Sequence, residues 1–287
     1  MPVSEKNQIK PSTLYLVATP IGNLSDLSER AIKVLSEVDF VAAEDTRVTV
    51  RMLSHLGIHK PLMPYHEHNK RERGEYVCRR LREGQSCALV TDAGTPAISD
   101  PGEDLVTLCI EEGFAVTSIP GCCAAITGLT LSGLPTGRFC FEGFLPVDKP
   151  VRRKRLEALK GETRTMIFHE GPHKLRTTLA DLRAAFGDDR RISLCRELTK
   201  INEEVLRLTL AGAVSYYEEN SARGEYVLVV EGAKEGENTG DAFWADLSVS
   251  DHVAHYVNQG MAKKDAIKAA AKDRGVPKNE VYQQVLD

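Results

Sequence analysis

The sequence predicts an α/β protein: two successive strand-and-helix domains followed by a small all-α C-terminal domain. Three observations carry this. Short apolar runs alternate with amphipathic helical stretches through both halves. Two prolines interrupt the pattern within residues 145–150. From residue 246 onward the periodicity is helical, with no strand. The division predicted is a disordered arm at 1–12, domains at 13–145 and 146–233, a hydrophilic linker at 234–244 and a helical domain at 245–287.

The elements follow in order. LYLVA (14–18) reads as a strand that runs into the turn TPIGN (19–23). A helix capped near Ser25 or Asp26 comes next, with Leu27, Ala31, Val34, Leu35 and Val38 on one face. FVAA (40–43) is a second strand, followed by a helical stretch over 46–56. NKRERGEYVCRRLREG (69–84) is a polar helix preceding the strand CALV (87–90). A helix over 103–112, a strand over 114–119 and a small-residue helix ending at Leu131 complete an open, largely parallel sheet. In the second half, RFCFEGF (138–144) and TRTMIFH (163–169) read as strands and 175–186 as a helix. Residues 190–196, 204–210 and 225–230 are further strands. The tail reads as two or three short helices, with Gly260 and Gly275 suited to C-caps.

Composition narrows the classes. With 287 residues, 42% apolar, 27% charged and a net charge of -4, the chain is an ordinary globular protein and no general polyanion magnet. No stretch approaches the roughly 18 apolar residues of a membrane span, so no membrane association is expected. MPVSEKNQIKPS lacks the apolar core of a signal peptide. The seven cysteines are odd in number and form no CxxC pair, which suits free thiols in a reducing, cytoplasmic setting. His66 and His68 have no further ligand cluster around them, so no metal is expected.

Three glycine-containing loops follow apolar strands: TPIGN (19–23), TDAGTP (91–96) and IPGCCAA (119–125). In open α/β sheets ligands bind outside the carboxyl ends of strands, and small residues let them lie against the backbone. None of the loops has the spacing GxGxxG or GxxxxGK[ST]. Between them they offer Asp92 and many carbonyls but no Lys or Arg, which suits a cationic or hydroxyl-rich ligand better than a polyphosphate. The alternative is that they are simply tight strand-to-helix turns.

TPIGNLSDLS, AAEDTR, TDAGTPAISDPG, IPGCCAA, GFLP, HEGPHKL and CRELTK with NEEV, in that order, resemble the tetrapyrrole-methylase superfamily. Within it they are most similar to the branch that methylates 16S rRNA at a ribose 2′-oxygen. The resemblance covers roughly 14–231, and the tail is similar to that branch's helical C-terminal domain. It implies two α/β domains with S-adenosyl-L-methionine in the cleft between them, a homodimer, and methylation of a cytidine in the decoding centre of the small ribosomal subunit. By resemblance, Asp92, Gly94, Thr95 and Ile98 line the methionine side of the donor site. Cys123 and Ala124 lie by methionine and ribose, and Pro20 lies beneath. Phe168, Glu197, Gly224 and Glu225 close over the adenine. The first loop departs from the family's frequent GxGxGD.

A ribose hydroxyl is a weak acid, so a general base is useful. Candidates are Glu44 and Asp45 in AAEDTR and His66 and Glu67, with His68, in YHEHN. Arg47 is placed to bind a phosphate or steady a carboxylate. The competing reading makes Asp45 a helix cap and YHEHN a solvated loop. His169 and Glu170 are expected to be structural. For RNA, residues 149–160 hold six basic side chains against one acidic, and 70–82 and 261–278 each hold six against two. Arg152, Arg153, Arg155, Lys263 and Lys264 are the named contacts, although a solvated helix face explains each stripe alone. The tail resembles a helix-turn-helix and is read as an RNA-docking module. The rival functions are methylation of a tetrapyrrole or a diphthamide precursor, phosphoryl transfer through Asp92, and RNA binding without catalysis.

Overall fold

The structure is a computed structural model that describes residues 8–234, 244 and 247–285. The expected arm therefore lies outside the described residues up to position 7, as does most of the expected linker. The rest of the arm is ordered, against expectation. The Lys10 N–H donates to Tyr15 Oη (2.8 Å), Ser12 Oγ donates to the Leu81 carbonyl (2.8 Å), and Ile9 packs on the core. The chain forms two compact units, Met1–Gly232 and Ala233–Asp287.

The first unit contains two five-stranded sheets. In the first, β1 (Thr13–Val17), β2 (Phe40–Ala43), β3 (Leu62–Pro64), β4 (Cys87–Val90) and β5 (Ala115–Ile119) lie in the order β3-β2-β4-β1-β5, all parallel. Every residue of β2 and β4 is buried, as a parallel sheet covered on both faces requires. Helices α1 (Glu29–Glu37) and α2 (Thr46–His55) supply Val34, Leu35 and Leu53 to one face. Helices α3 (Lys70–Arg82) and α4 (Glu103–Glu111) supply Val77, Leu81 and Leu105 to the other. The cap expected at Ser25 or Asp26 belongs instead to Ser28, whose Oγ accepts the Ala31 N–H (3.1 Å). Residues 24–26 are a separate 3₁₀ turn, because Asn23 Oδ1 takes the Ser25 N–H (3.0 Å) and Leu27 is extended.

α5 (Ala124–Leu131) leads to the second sheet. There β6 (Phe139–Phe144), β7 (Thr165–Glu170), β8 (Arg191–Arg196), β9 (Glu204–Thr209) and β10 (Tyr226–Val230) lie in the order β6-β7-β10-β8-β9. Only β6 and β7 are parallel. Helices α6 (Lys149–Leu159), α7 (Leu175–Phe186) and α8 (Leu210–Glu219) cover one face, and α5 packs on the other against β10 and β7. The division expected at 145/146 falls after β6, which pairs with β7, so the second sheet starts earlier, at Phe139. Pro146 lies in the loop between β6 and α6 and Pro150 in the first turn of α6, so neither marks the passage from sheet to sheet.

The second unit is all helical: α9 (Val249–Asn258), α10 (Lys263–Arg274) and α11 (Lys278–Gln284) enclose Val253, Ala266, Ile267, Ala270 and Val281. Gly275 caps α10 in the left-handed conformation. Lys263 and Lys264 are exposed at the start of α10. Among the described residues no helix is long and apolar enough to cross a membrane.

Candidate functional site

Adjacent strands β1 and β4 send their connections to opposite faces of the first sheet, through α1 and α4 respectively. Such a switch point opens a crevice at the carboxyl edge. The three glycine loops meet there. The Thr19 N–H donates to the Gly94 carbonyl (2.9 Å), and the Gly94 N–H returns a bond to the Thr19 carbonyl (3.0 Å). Thr19 Oγ1 donates to the Thr91 carbonyl (3.0 Å) and Thr95 Oγ1 to the Cys122 carbonyl (2.9 Å). With their polar groups joined to one another, the loops stand firm without bulky side chains. A cleft of about 480 Å³ lies between them and the second sheet. That volume is in the range of small-molecule sites.

Asp92, Gly94, Thr95, Ile98, Cys123, Ala124, Glu197 and Glu225 all line this cleft. Three expected donor-site residues do not. Pro20 lies outside the lining, where its neighbour Ile21 faces in. Phe168 is buried in the core between β7 and the covering helices, because side chains alternate along a strand; the next residue, His169, faces the cleft instead. Gly224 contributes through its backbone. Its φ is +76°, and a Cβ there would fall 2.5 Å from Glu197 Cδ. Glu197 Oε1 consequently accepts the Glu225 N–H (3.0 Å) and the Lys200 ammonium (2.9 Å), which also reaches Glu225 Oε2 (2.9 Å). The Lys200 bond holds the Glu197 carboxyl below its ordinary range.

Of the five candidate bases, Glu44 alone lines the cleft. Burial pushes its pKa up, and the charges of Asp92 and Asp45 add to this against the Asp92 N–H that Oε2 accepts (3.4 Å). Asp45 is instead the N-cap of α2, accepting the Arg47 N–H (2.8 Å) and pairing with the guanidinium (2.6 Å). These bonds hold it at about 2, and they occupy Arg47 as well. His66 bonds the Asn69 amide (3.1 Å) and Glu67 pairs with Lys70 (2.8 Å), both outside the lining. A residue not named from the sequence takes their place. Asp100 lines the cleft half-buried, and burial together with Glu44 and Asp92 raises it to about 6. Its signal was present in the motif SDPG, but only the fold turns that loop inward; Ala97 and Ser99 both sit at φ 65° to do so.

The basic stripe on α6 divides in two. Arg152 is taken by Asp181 (2.6 Å) and Thr178 (2.8 Å), and Arg155 by both oxygens of Glu142 (2.7 and 2.8 Å). Lys149, Arg153 and Lys154 are exposed. His169 and Glu170, expected to be structural, both line the cleft; Glu170 also accepts the Gly171 N–H (2.9 Å) and a bond from Thr178 Oγ1.

The cleft thus presents Glu44, Asp92 and Asp100, and its ammonium, Lys200, is already held by two glutamates. A polyphosphate would find little counter-charge, whereas a sulfonium with hydroxyls and an amino-acid tail fits the donor set.

Residues 13–214 match the family model of the Tetrapyrrole (Corrin/Porphyrin) Methylases. Over 270 residues the chain is 52% identical to the ribosomal RNA small subunit methyltransferase I of Halalkalibacterium halodurans, covering 94% of this chain and 93% of that protein. Its counterpart of the same name in Bacillus subtilis is 46% identical, with 94% and 92% covered. The uroporphyrin-III C-methyltransferase of Thermus thermophilus, solved with S-adenyl homocysteine, is similar in fold. Its TM-score is 0.52 at 17% identity, over 76% of this chain and 92% of that one.

Proposed function

Because the chain belongs to the tetrapyrrole (corrin/porphyrin) methylase family, we propose that it is an S-adenosyl-L-methionine-dependent methyltransferase. Its acceptor is the 2′-oxygen of a cytidine ribose in the decoding centre of small-subunit rRNA. The observation that carries this reading is the extent of the identity to the rRNA methyltransferases. It spans 94% of the chain, whereas the family model ends at residue 214. Relatives that modify rRNA therefore share more of the chain than the family domain alone. The deciding experiment maps 2′-O-methyl marks on rRNA from cells with and without the protein. Loss of one small-subunit mark is expected, and an unchanged map would remove the assignment.

The donor, when bound, supplies a methyl group on a cationic sulfur that departs neutral. Asp92, Gly94, Thr95, Cys123 and Ala124 would hold it from the first sheet's side of the cleft, and Glu197 and Glu225 from the second's. Holding donor and acceptor in line can contribute on the order of 7–11 kcal/mol. Glu44 accepts the proton of the ribose hydroxyl, the role its raised pKa suits. Asp100 would add negative charge to the cleft that takes the cationic donor. Below about pH 6 Asp100 is neutral and attracts no cation; above it the carboxylate forms. Donor affinity should therefore tighten as pH rises through about 6, with protons released on binding. Calorimetry in buffers of different ionisation heat reads both, and Asp100→Asn should flatten the profile. A flat profile in the unmodified protein would count against Asp100.

RNA is held by the exposed cations of α6. Replacing Lys149, Arg153 and Lys154 together by Ala should weaken RNA binding and lower its salt slope by about one per lost phosphate contact. Arg152→Ala and Arg155→Ala should lower Tm instead, because each leaves a carboxylate unpaired. Equal salt slopes in the triple variant would return this face to solvent.

The protein is read as a cytoplasmic homodimer. β5 is an edge strand with Ala115, Thr117 and Ser118 exposed, and α4 beside it exposes Ile110. A second copy covering this edge removes it from water; a monomer mass by light scattering would refute the dimer. All seven cysteines are free, as a reducing compartment favours.

A further inference from the structure

Phe144, the last residue of β6, is 62% exposed yet lines the cleft, which places it at the rim. A β-bulge sets its direction. In a regular strand Phe141 and Phe144, three residues apart, would point to opposite faces. Here the register with β7 slips: Phe141 pairs with Ile167, Gly143 with Phe168, and Phe144 with His169. The extra residue turns both phenylalanines toward His169, whose ring meets them edge-on at 5.1 and 5.6 Å between centroids. Gly143 adopts φ +60° to permit this. Glu142 is anchored by its bidentate pair with Arg155. Burial lowers the His169 pKa, so the ring behind Phe144 is an uncharged one.

A phenylalanine exposed on the rim of a cleft is placed to meet what enters it. Val147 and Val151 extend the exposed apolar surface along the chain, and Lys149, Arg153 and Lys154 add exposed positive charge on the same stretch. An aromatic face continuous with the donor cleft and accompanied by cations suits single-stranded nucleic acid: stacking for a base, charge for the phosphates. We propose that Phe144, backed by His169, is the platform on which the base of the acceptor nucleotide stacks after it leaves its strand, so that its ribose enters the cleft. This rests on the rRNA-methylation reading above and adds that the acceptor is an unstacked nucleotide in a single-stranded stretch, not one paired in a duplex.

The test uses the full-length protein, S-adenosyl-L-methionine, and small ribosomal subunits purified from cells lacking the protein. Phe144→Ala and Phe144→Leu should each lower kcat/KM for the subunit by about 10–100-fold, the range for one stacked base. Phe144→Trp should keep it within about threefold, since any aromatic face can stack. Donor affinity by calorimetry should stay within about threefold in all three, because stacking acts on the acceptor. A fully active Leu or Ala variant would overturn the platform. So would a loss of donor affinity equal to the loss of turnover, which would assign the ring to the donor. A dimer-to-monomer change in Phe144→Ala would assign it to a second copy of the chain. Failure of the unmodified protein to methylate these subunits would remove the function reading itself; an active Phe144→Ala beside an active parent removes only the platform.

Discussion

Glu44→Gln is expected to lower methylation turnover by about 10²–10⁴-fold, the usual contribution of a general base, with donor affinity changed less than about tenfold. The substitution keeps shape and hydrogen bonding, since the amide oxygen can still accept the Asp92 N–H. It removes the carboxylate's charge and with it the ability to take a proton. Glu44 sits at the carboxyl end of β2, beside the Asp92 loop that leaves β4, and burial and two neighbouring carboxylates raise its proton affinity. In the unmodified protein turnover should rise with pH as Glu44 ionises, and that limb should vanish in Glu44→Gln. Undiminished turnover in the variant would mean that positioning suffices and that no base acts here. Asp45→Asn offers the contrast. Asp45 is committed to the cap and to Arg47, so its loss should show in Tm before turnover.

Gly128→Val should destabilise the first unit by about 2–3 kcal/mol, a typical cost of overpacking a filled core. α5 crosses from the loops of the first sheet to the surface of the second and lies against β10 at this glycine. A Cβ at position 128 would sit 2.7 Å from Val227 Cγ1 and 3.0 Å from Val227 Cβ. Gly128→Ala meets the same obstacle and should also lose stability, even though alanine favours a helix over glycine by about 1 kcal/mol. Pairing Gly128→Ala with Val227→Ala should recover much of the loss, since the second change removes the obstructing methyls. Urea titration of the four forms reads the coupling. Unchanged stability in Gly128→Ala alone would show that the helix moves freely over the sheet. Because α5 begins at the cleft and Val227 lines it, donor affinity should fall with stability.

The central strands of the first sheet were legible in the sequence because β2 and β4 are short, wholly buried apolar runs, and both have the bounds their patterns predicted, as does α7 against the second sheet. The three small-residue loops were also legible, since glycine between an apolar strand and a helix is a local signal. α8 was not. LAGAVSYYEE contains a glycine and shows little contrast between faces, so what defines it is a Thr209 cap on the Gly212 N–H (3.1 Å) and packing against α7. Asp100, Lys200 and Tyr226 were missed as cleft residues because nothing local says which way a loop or strand side chain turns.

By itself, the sequence determined the alternation of elements, the small, cation-free character of the loops and the family to which they belong, because each depends on residues adjacent in the chain. Tertiary structure alone decided which carboxylate faces the cleft and which arginines remain available. Asp45 and Glu44 are neighbours, yet one is held by a helix end and an arginine while the other is half-desolvated opposite Asp92. Arg152, Arg153 and Arg155 share one helix, yet two of them meet carboxylates brought from α7 and β6. Charge is written in the chain, but a proton's affinity and a cation's freedom depend on burial and on partners from distant segments, which exist only once the sheets have packed.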